Sequence, residues 1–330
     1  MLHRALALAS AVAAVAASVL LHQTTGAAQT PSAVSATRPV PRNAIGQPDL
    51  EGIWTNATLT PLERPRELAG KAFFTKEEAA EYERQARERN NADRRDRNAE
   101  ADLAVGYNDA WWDRGTTIVS TRRTSLIVDP ADGRIPPLTP EAQQRAAARA
   151  EARRAHPADG PEDLTIADRC ITRGNNGPPM LQAGYNNNYQ IVQTRDYVMI
   201  LIEMMHDARI IALDGRPLLP AGVRQWLGRS RGRWERDTLV VETSSFTDKT
   251  NFRGASEHLR VAERFTRVDA DTLLYQFTVD DPGSFTRPWS GEIPMKKTAG
   301  LIYEYACHEA NYSMANTLRT ARAEERAANR

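Results

Sequence analysis

The most sustained apolar run of the chain lies between Tyr189 and Leu213, YQIVQTRDYVMILIEMMHDARIIAL. In extended backbone Val198, Ile200, Ile202 and Met204 fall on one face and Tyr197, Met199, Leu201 and Glu203 on the other, because successive strand side chains point to opposite sides. Both faces are largely apolar, which predicts a central strand. From Tyr197 to Leu213 the run covers about seventeen residues, more than an ordinary strand, so a turn or bulge is expected near His206-Asp207.

Alternation of the same period recurs downstream. Arg233-Trp234-Glu235, a tight Arg236-Asp237 turn and Thr238 to Thr243 read as one hairpin; His258 to Val268, a turn at Asp269-Ala270-Asp271 and Thr272 to Val279 read as the next. Phe285 to Met295 contains Pro288 and Pro294 and is expected as an edge or bulged strand, since proline cannot donate to a ladder. Leu301 to Cys307 is expected as a last strand, and Asp49 to Thr55 as the first. Ile118 and Leu126 to Val128 suggest short strands beside an Asp129-Pro130-Ala131-Asp132-Gly133 turn. Short antiparallel strands with few crossover helices predict a mainly β fold: a closed or nearly closed antiparallel barrel of the calycin kind, or a sandwich meander, with peripheral helices.

The helical signals are polar. Thr75 followed by Glu78 has the capping-box spacing and opens a helix over about 76–95 with an almost wholly charged body, a solvated or lid-like excursion. Thr139 with Pro140 opens a second over 140–155. A third is expected over about 308–328. Between the first two, the adjacent Trp111 and Trp112 are expected to pack beneath the charged helix. From Asp168 to Asn188 a Gly-, Pro- and Asn-rich stretch reads as a long loop leading into the central strand.

Composition narrows the class. Arg4, the Ala/Val/Leu run from Ala5 to Leu21 and the small residues Gly26-Ala27-Ala28 read as a signal peptide over residues 1–28. The Pro/Ser/Ala/Thr-rich stretch 29–48 reads as a disordered leader. A single β-rich domain is expected over 49–330, exported to the periplasm or beyond, with no integral membrane span after cleavage. A formal net charge of +1 gives no basic field for nucleic acid or anionic lipid. Cys170 and Cys307 are the two cysteines, and in an exported chain they are expected to form a disulfide.

Several stretches, PDLEGIWT, RTSLIVDPADGRIPPLTPEAQ, QIVQTRDYVMILIEMMHDARIIALDGRP, WLGRSRGRWERDTLVVETSSFTDKTNF, ERFTRVDADTLLYQFTVDDP and YEYACHEANY, resemble a large family of exported bacterial proteins, most of them without an assigned activity. The resemblance spans most of the chain beyond the signal peptide and implies no mechanism. Arg229 and Arg236 depart from the acidic or small residues expected there.

The sequence lacks HExxH, Walker and GxGxxG motifs, and no cofactor or metal is expected. Glu203, His206 and Asp207 at the end of the long strand are the candidate acid-base groups, since a carboxylate can orient an imidazole and raise its pKa. Arg209, Asp248, Asn251, Arg253, Trp289 and His308 are the candidate ligand contacts. Two readings remain: a barrel binding a small molecule of mixed apolar and polar character, with isomerase, cyclase or hydrolase chemistry open to it, or a non-enzymatic envelope or periplasmic binding or structural protein. They part on whether the candidate residues converge on one concave pocket.

Overall fold

The computed structural model describes residues 40–96, 98–173, 177–215, 222–249, 252–309 and 311–329. The signal-peptide segment and the first part of the leader, through residue 39, lie outside the described residues, as does Asn251. The described part of the leader, residues 40–48, contains a turn: Asn43 Oδ1 accepts from the Gln47 backbone at 3.0 Å, and Arg42 pairs with Asp237 at 2.7 Å.

The strands are β1 (Gly52–Thr55), β2 (Ile127–Asp129), β3 (Asn188–Gln193), β4 (Tyr197–Ile202), β5 (Ala208–Ala212), β6 (Arg229–Glu235), β7 (Thr238–Ser244), β8 (Arg260–Arg267), β9 (Thr272–Asp280) and β10 (Trp289–Thr298). Nine close into a barrel in the order β1-β3-β4-β5-β6-β7-β8-β9-β10 and back to β1, with β2 beside β10. Pairing is antiparallel throughout except at β5–β6, a parallel joint of one residue pair, Ala212 with Arg231. Among the described residues four α-helices lie outside it: α1 (Lys76–Asn90), α2 (Ala99–Val105), α3 (Pro140–Ala155) and α4 (Tyr312–Ala328).

The alternation places the core. In β9, Leu273, Tyr275, Phe277 and Val279 are buried and their neighbours half-buried; in β8, Val261, Glu263, Phe265 and Arg267 turn inward. The long apolar run is three strands, not one. The first hairpin turns at 194–196, and a second turn over 203–207, with left-handed Met205 and His206, returns the chain into β5. The outer face of β4, Tyr197, Met199 and Leu201, is only half-buried.

Three other expectations change. Strand β10 is no edge: β9 flanks it on one side, β2 and then β1 on the other. Glu292 N donates to Leu126 O at 2.9 Å on that second side, and Pro294, two residues on, faces the gap between β2 and β1, where no ladder donor is required. Residues 301–307 form no strand; the segment pairs with no described strand, and its last residue, Cys307, is tied by a disulfide to Cys170. Ile118 lies in no strand and packs with Leu59, Phe74, Ala79 and Ala86 beneath α1.

The interior is filled. Trp54, Trp289, Tyr189, Tyr275, Phe246, Phe265 and Phe277 are all fully buried. One end is sealed by Arg267, which lies over the Trp54 ring at 4.8 Å and donates to the Asp49, Asp269 and Ala270 carbonyls. The loop before β3 fills the other end: Met180 N donates to Tyr275 Oη at 2.9 Å, and Asn56 Nδ2 donates to Met180 O at 3.2 Å. That loop is tied to the chain's last turn by a disulfide between Cys170 and Cys307, with Cα atoms 5.7 Å apart. No helix among the described residues is long and apolar enough to cross a membrane.

Candidate functional site

The candidate acid-base triple is dispersed by the turn that carries it. Glu203 is buried, and its Oε2 accepts from the Asn188 backbone at 3.2 Å and from Asn188 Nδ2 at 2.8 Å, so it clamps the turn to β3. His206 is exposed, and its imidazole hydrogen-bonds to no described residue. Asp207 is half-buried, and burial raises its carboxyl above the ordinary range. Arg209 points into the barrel, not to its rim. Its Nη2 and Nη1 reach Glu263 Oε2 and Oε1 at 2.6 and 3.1 Å. Burial alone would lower the arginine pKa, and the Glu263 charge reverses that, so it is raised. Tyr275 Oη donates to Glu263 Oε1 at 2.9 Å, and Ser230 Oγ accepts from Arg209 Nη2 at 3.2 Å. This is a closed internal network with every carboxylate oxygen occupied.

The remaining candidates divide. Trp289 is fully buried in the core against Phe252, Phe277 and Phe285, with ring centroids 6.2, 5.7 and 6.1 Å away. Asp248 is exposed and serves its own turn, accepting from Thr247 Oγ1 at 3.3 Å, while its carbonyl accepts from Arg149 of α3. His308 is exposed in the turn next to the disulfide. None of these three lines the cleft described next.

Arg253 does line a concave site. The stacking of Phe252 on Trp289 anchors the β7–β8 loop, and the next residue, Arg253, reaches a cleft of about 620 Å³ at the end of the barrel where β10 begins. Leu62, Leu126 and Leu181, which pack on or within the barrel core, form its apolar floor. Helix α1 forms one wall. Its capping box, Thr75 with Glu78, starts it, and Ala79 and Ala86 bury its inner face, so Tyr82, Arg89 and Asn90 are presented to the cleft. Burial raises the Tyr82 hydroxyl pKa, while Arg89 beside it acts in the opposite sense.

Arg114 completes the rim. Its guanidinium lies 3.9 Å from the Trp112 ring centroid, and Nη1 donates to Asn90 O at 3.0 Å, which fixes the fork against the C-terminal end of α1. Trp112 is held in turn by Gly184, where a Cβ would stand 2.8 Å from Trp112 Cζ3. Trp111 does not pack beneath the helix as expected; it is 67% exposed. The Asp113 carboxyl is raised by burial, against hydrogen bonds from Asn187 and Gly115. Asn187 caps the cleft loop, accepting from Ala183 N at 2.7 Å and donating to Ala183 O at 3.1 Å.

Three arginines, 89, 114 and 253, thus line the cleft, and none of the described lining residues is Asp or Glu. Desolvation lowers the Arg253 pKa, opposed by Glu63 nearby; that carboxylate already accepts from Ile135 N at 3.2 Å. Sequence reading found Arg253 and missed the other two. Arg89 was one charge among many on a solvated helix, and Arg114 gave no signal beyond its place after the tryptophan pair. Among the described residues no three His, Cys, Asp or Glu side chains gather as a metal site.

No protein-family model, curated protein or solved structure matched this chain.

Proposed function

We propose that this is an exported small-molecule-binding barrel protein whose ligand occupies the cleft between α1 and the barrel end, and that it belongs with the exported family its sequence resembles. One observation carries the reading: an apolar floor drawn from the core lies beneath a few oriented polar groups, in a cleft of about 620 Å³. That is the size and composition of sites that enclose small ligands. The filled lumen favours the cleft over the barrel interior, and the disulfide agrees with an oxidising compartment. The dispersal of Glu203, His206 and Asp207 favours binding over acid-base chemistry at that turn.

A thermal-shift screen of metabolites tests it. A ligand at a hundredfold excess over its Kd contributes about 2.7 kcal/mol, or roughly 5 to 10 °C in Tm. Ala183→Trp fills the cleft from the loop side, so every stabilising ligand is expected to lose its effect on that variant. Ligands that stabilise both proteins equally would place the site elsewhere.

A further inference from the structure

We infer that the cleft is built for an organic anion: an apolar body lying over Leu62, Leu126 and Leu181, and a carboxylate, sulfonate or phosphate ester held by Arg89, Arg114 and Arg253. The inference rests on the binding reading above and adds to it the charge of the ligand.

Several surface arginines of this chain have carboxylate partners: Arg84 pairs with Glu81 and Glu88, Arg233 with Glu235 and Glu242, and Arg264 with Glu235. The cleft arginines do not. Arg89 contacts the Tyr82 ring at 5.9 Å, Arg114 spends one nitrogen on a main-chain carbonyl, and Arg253 forms no hydrogen bond with a described residue. Three like charges around one concavity repel one another, and an anion there removes that repulsion. A guanidinium fork matches the two oxygens of a carboxylate or phosphate. Arg114 is already oriented, clamped between Trp112 and Asn90, so ordering it on binding costs little. The leucine floor adds the second half of the specificity, because a bare inorganic anion leaves it uncovered. Thr58 and Thr60 stand at the same wall but are buried, and Thr60 Oγ1 accepts from Val119 N at 3.0 Å, so they give the floor shape and leave the charge to the arginines.

Two fluorescent probes with the same aromatic body separate the claims: anilinonaphthalene sulfonate, an anion, and N-phenylnaphthylamine, its neutral counterpart. The expected result is that the full chain binds the sulfonate at least tenfold more tightly than the amine. Arg89→Gln and Arg253→Gln should each weaken the sulfonate about fivefold to tenfold and leave the amine within twofold, and added salt should weaken the sulfonate alone. Ala183→Trp, or Gln182→Trp should the first fail to fold by its melting transition, should abolish both. Equal binding of the two probes, with the arginine variants silent, overturns the anion inference and leaves the small-molecule cleft standing. Binding of neither probe, or binding untouched by the cleft-filling variant, overturns both.

Discussion

The Arg209–Glu263 pair shows what a charge costs inside this barrel. Both side chains are almost fully removed from water; the bidentate contact, with Tyr275 and Ser230 around it, satisfies both Glu263 oxygens and both terminal nitrogens of Arg209, and leaves Arg209 Nε buried without a partner among the described residues. Glu263→Ala leaves an uncompensated guanidinium in the core and is expected to destabilise the protein by about 3 to 5 kcal/mol, read from denaturant midpoints. Glu242→Ala, which breaks an exposed pair with Arg233, is expected to cost about 0 to 1 kcal/mol. The double change Arg209→Met with Glu263→Leu should recover most of the first loss; a Glu263→Ala cost below that of the exposed pair would show the network to be dispensable. Part of this was legible. Glu263 falls on the inward side of an alternation with Val261 and Phe265, and Arg209 on that of Ile211, so two opposite charges inside the barrel follow from period alone. Their partnership across 54 positions does not.

At the scale of elements, period-two alternation and turn chemistry located most strands, and the caps of α1 and α3 fell where Thr75 and Thr139 announced them. Errors came where neighbours decide. Residues 301–307 have strand composition, yet they pair with no described strand, and the segment forms the strap leading to α4. The disulfide holds that strap to the loop before β3, with Asn311 Nδ2 donating to Asp168 O at 2.6 Å and Arg322 donating to the Ala158 and Asp159 carbonyls. With the cysteines 137 positions apart in sequence, the chain-entropy account gives about 5 kcal/mol for the cross-link. Cys170→Ser with Cys307→Ser should lower the denaturant midpoint accordingly, and limited proteolysis should cut first within 301–311. A double variant equal in stability to the parent would mean that packing of α4 alone fixes the strap.

For the whole molecule, the barrel was legible and the cleft was not. Arg89, Arg114 and Arg253 come from a helix, a loop and a distant strand connection; in sequence the polar loop marks Arg253, while Arg89 and Arg114 look like ordinary solvated charges. Only closure brings them to one end. That closure has a weakest point, the single β5–β6 pair, where Gly232 lies beneath Leu213 and Ile211 so closely that a Cβ would stand 2.7 and 2.8 Å from their side chains. Gly232→Val should wedge the joint apart, with faster amide exchange across 208–212 and 229–233 and new, larger species on size exclusion. Unchanged protection and elution would show that the joint tolerates the wedge. The reason for the larger species is geometric. A ring has no ends, but a ring cut at one link is a ribbon whose two raw margins carry rows of unspent donors and acceptors, and the most available complement to such a margin is the same margin on another copy. The missing side chain at Gly232 therefore does more than admit two neighbours: it keeps this protein from becoming its own template.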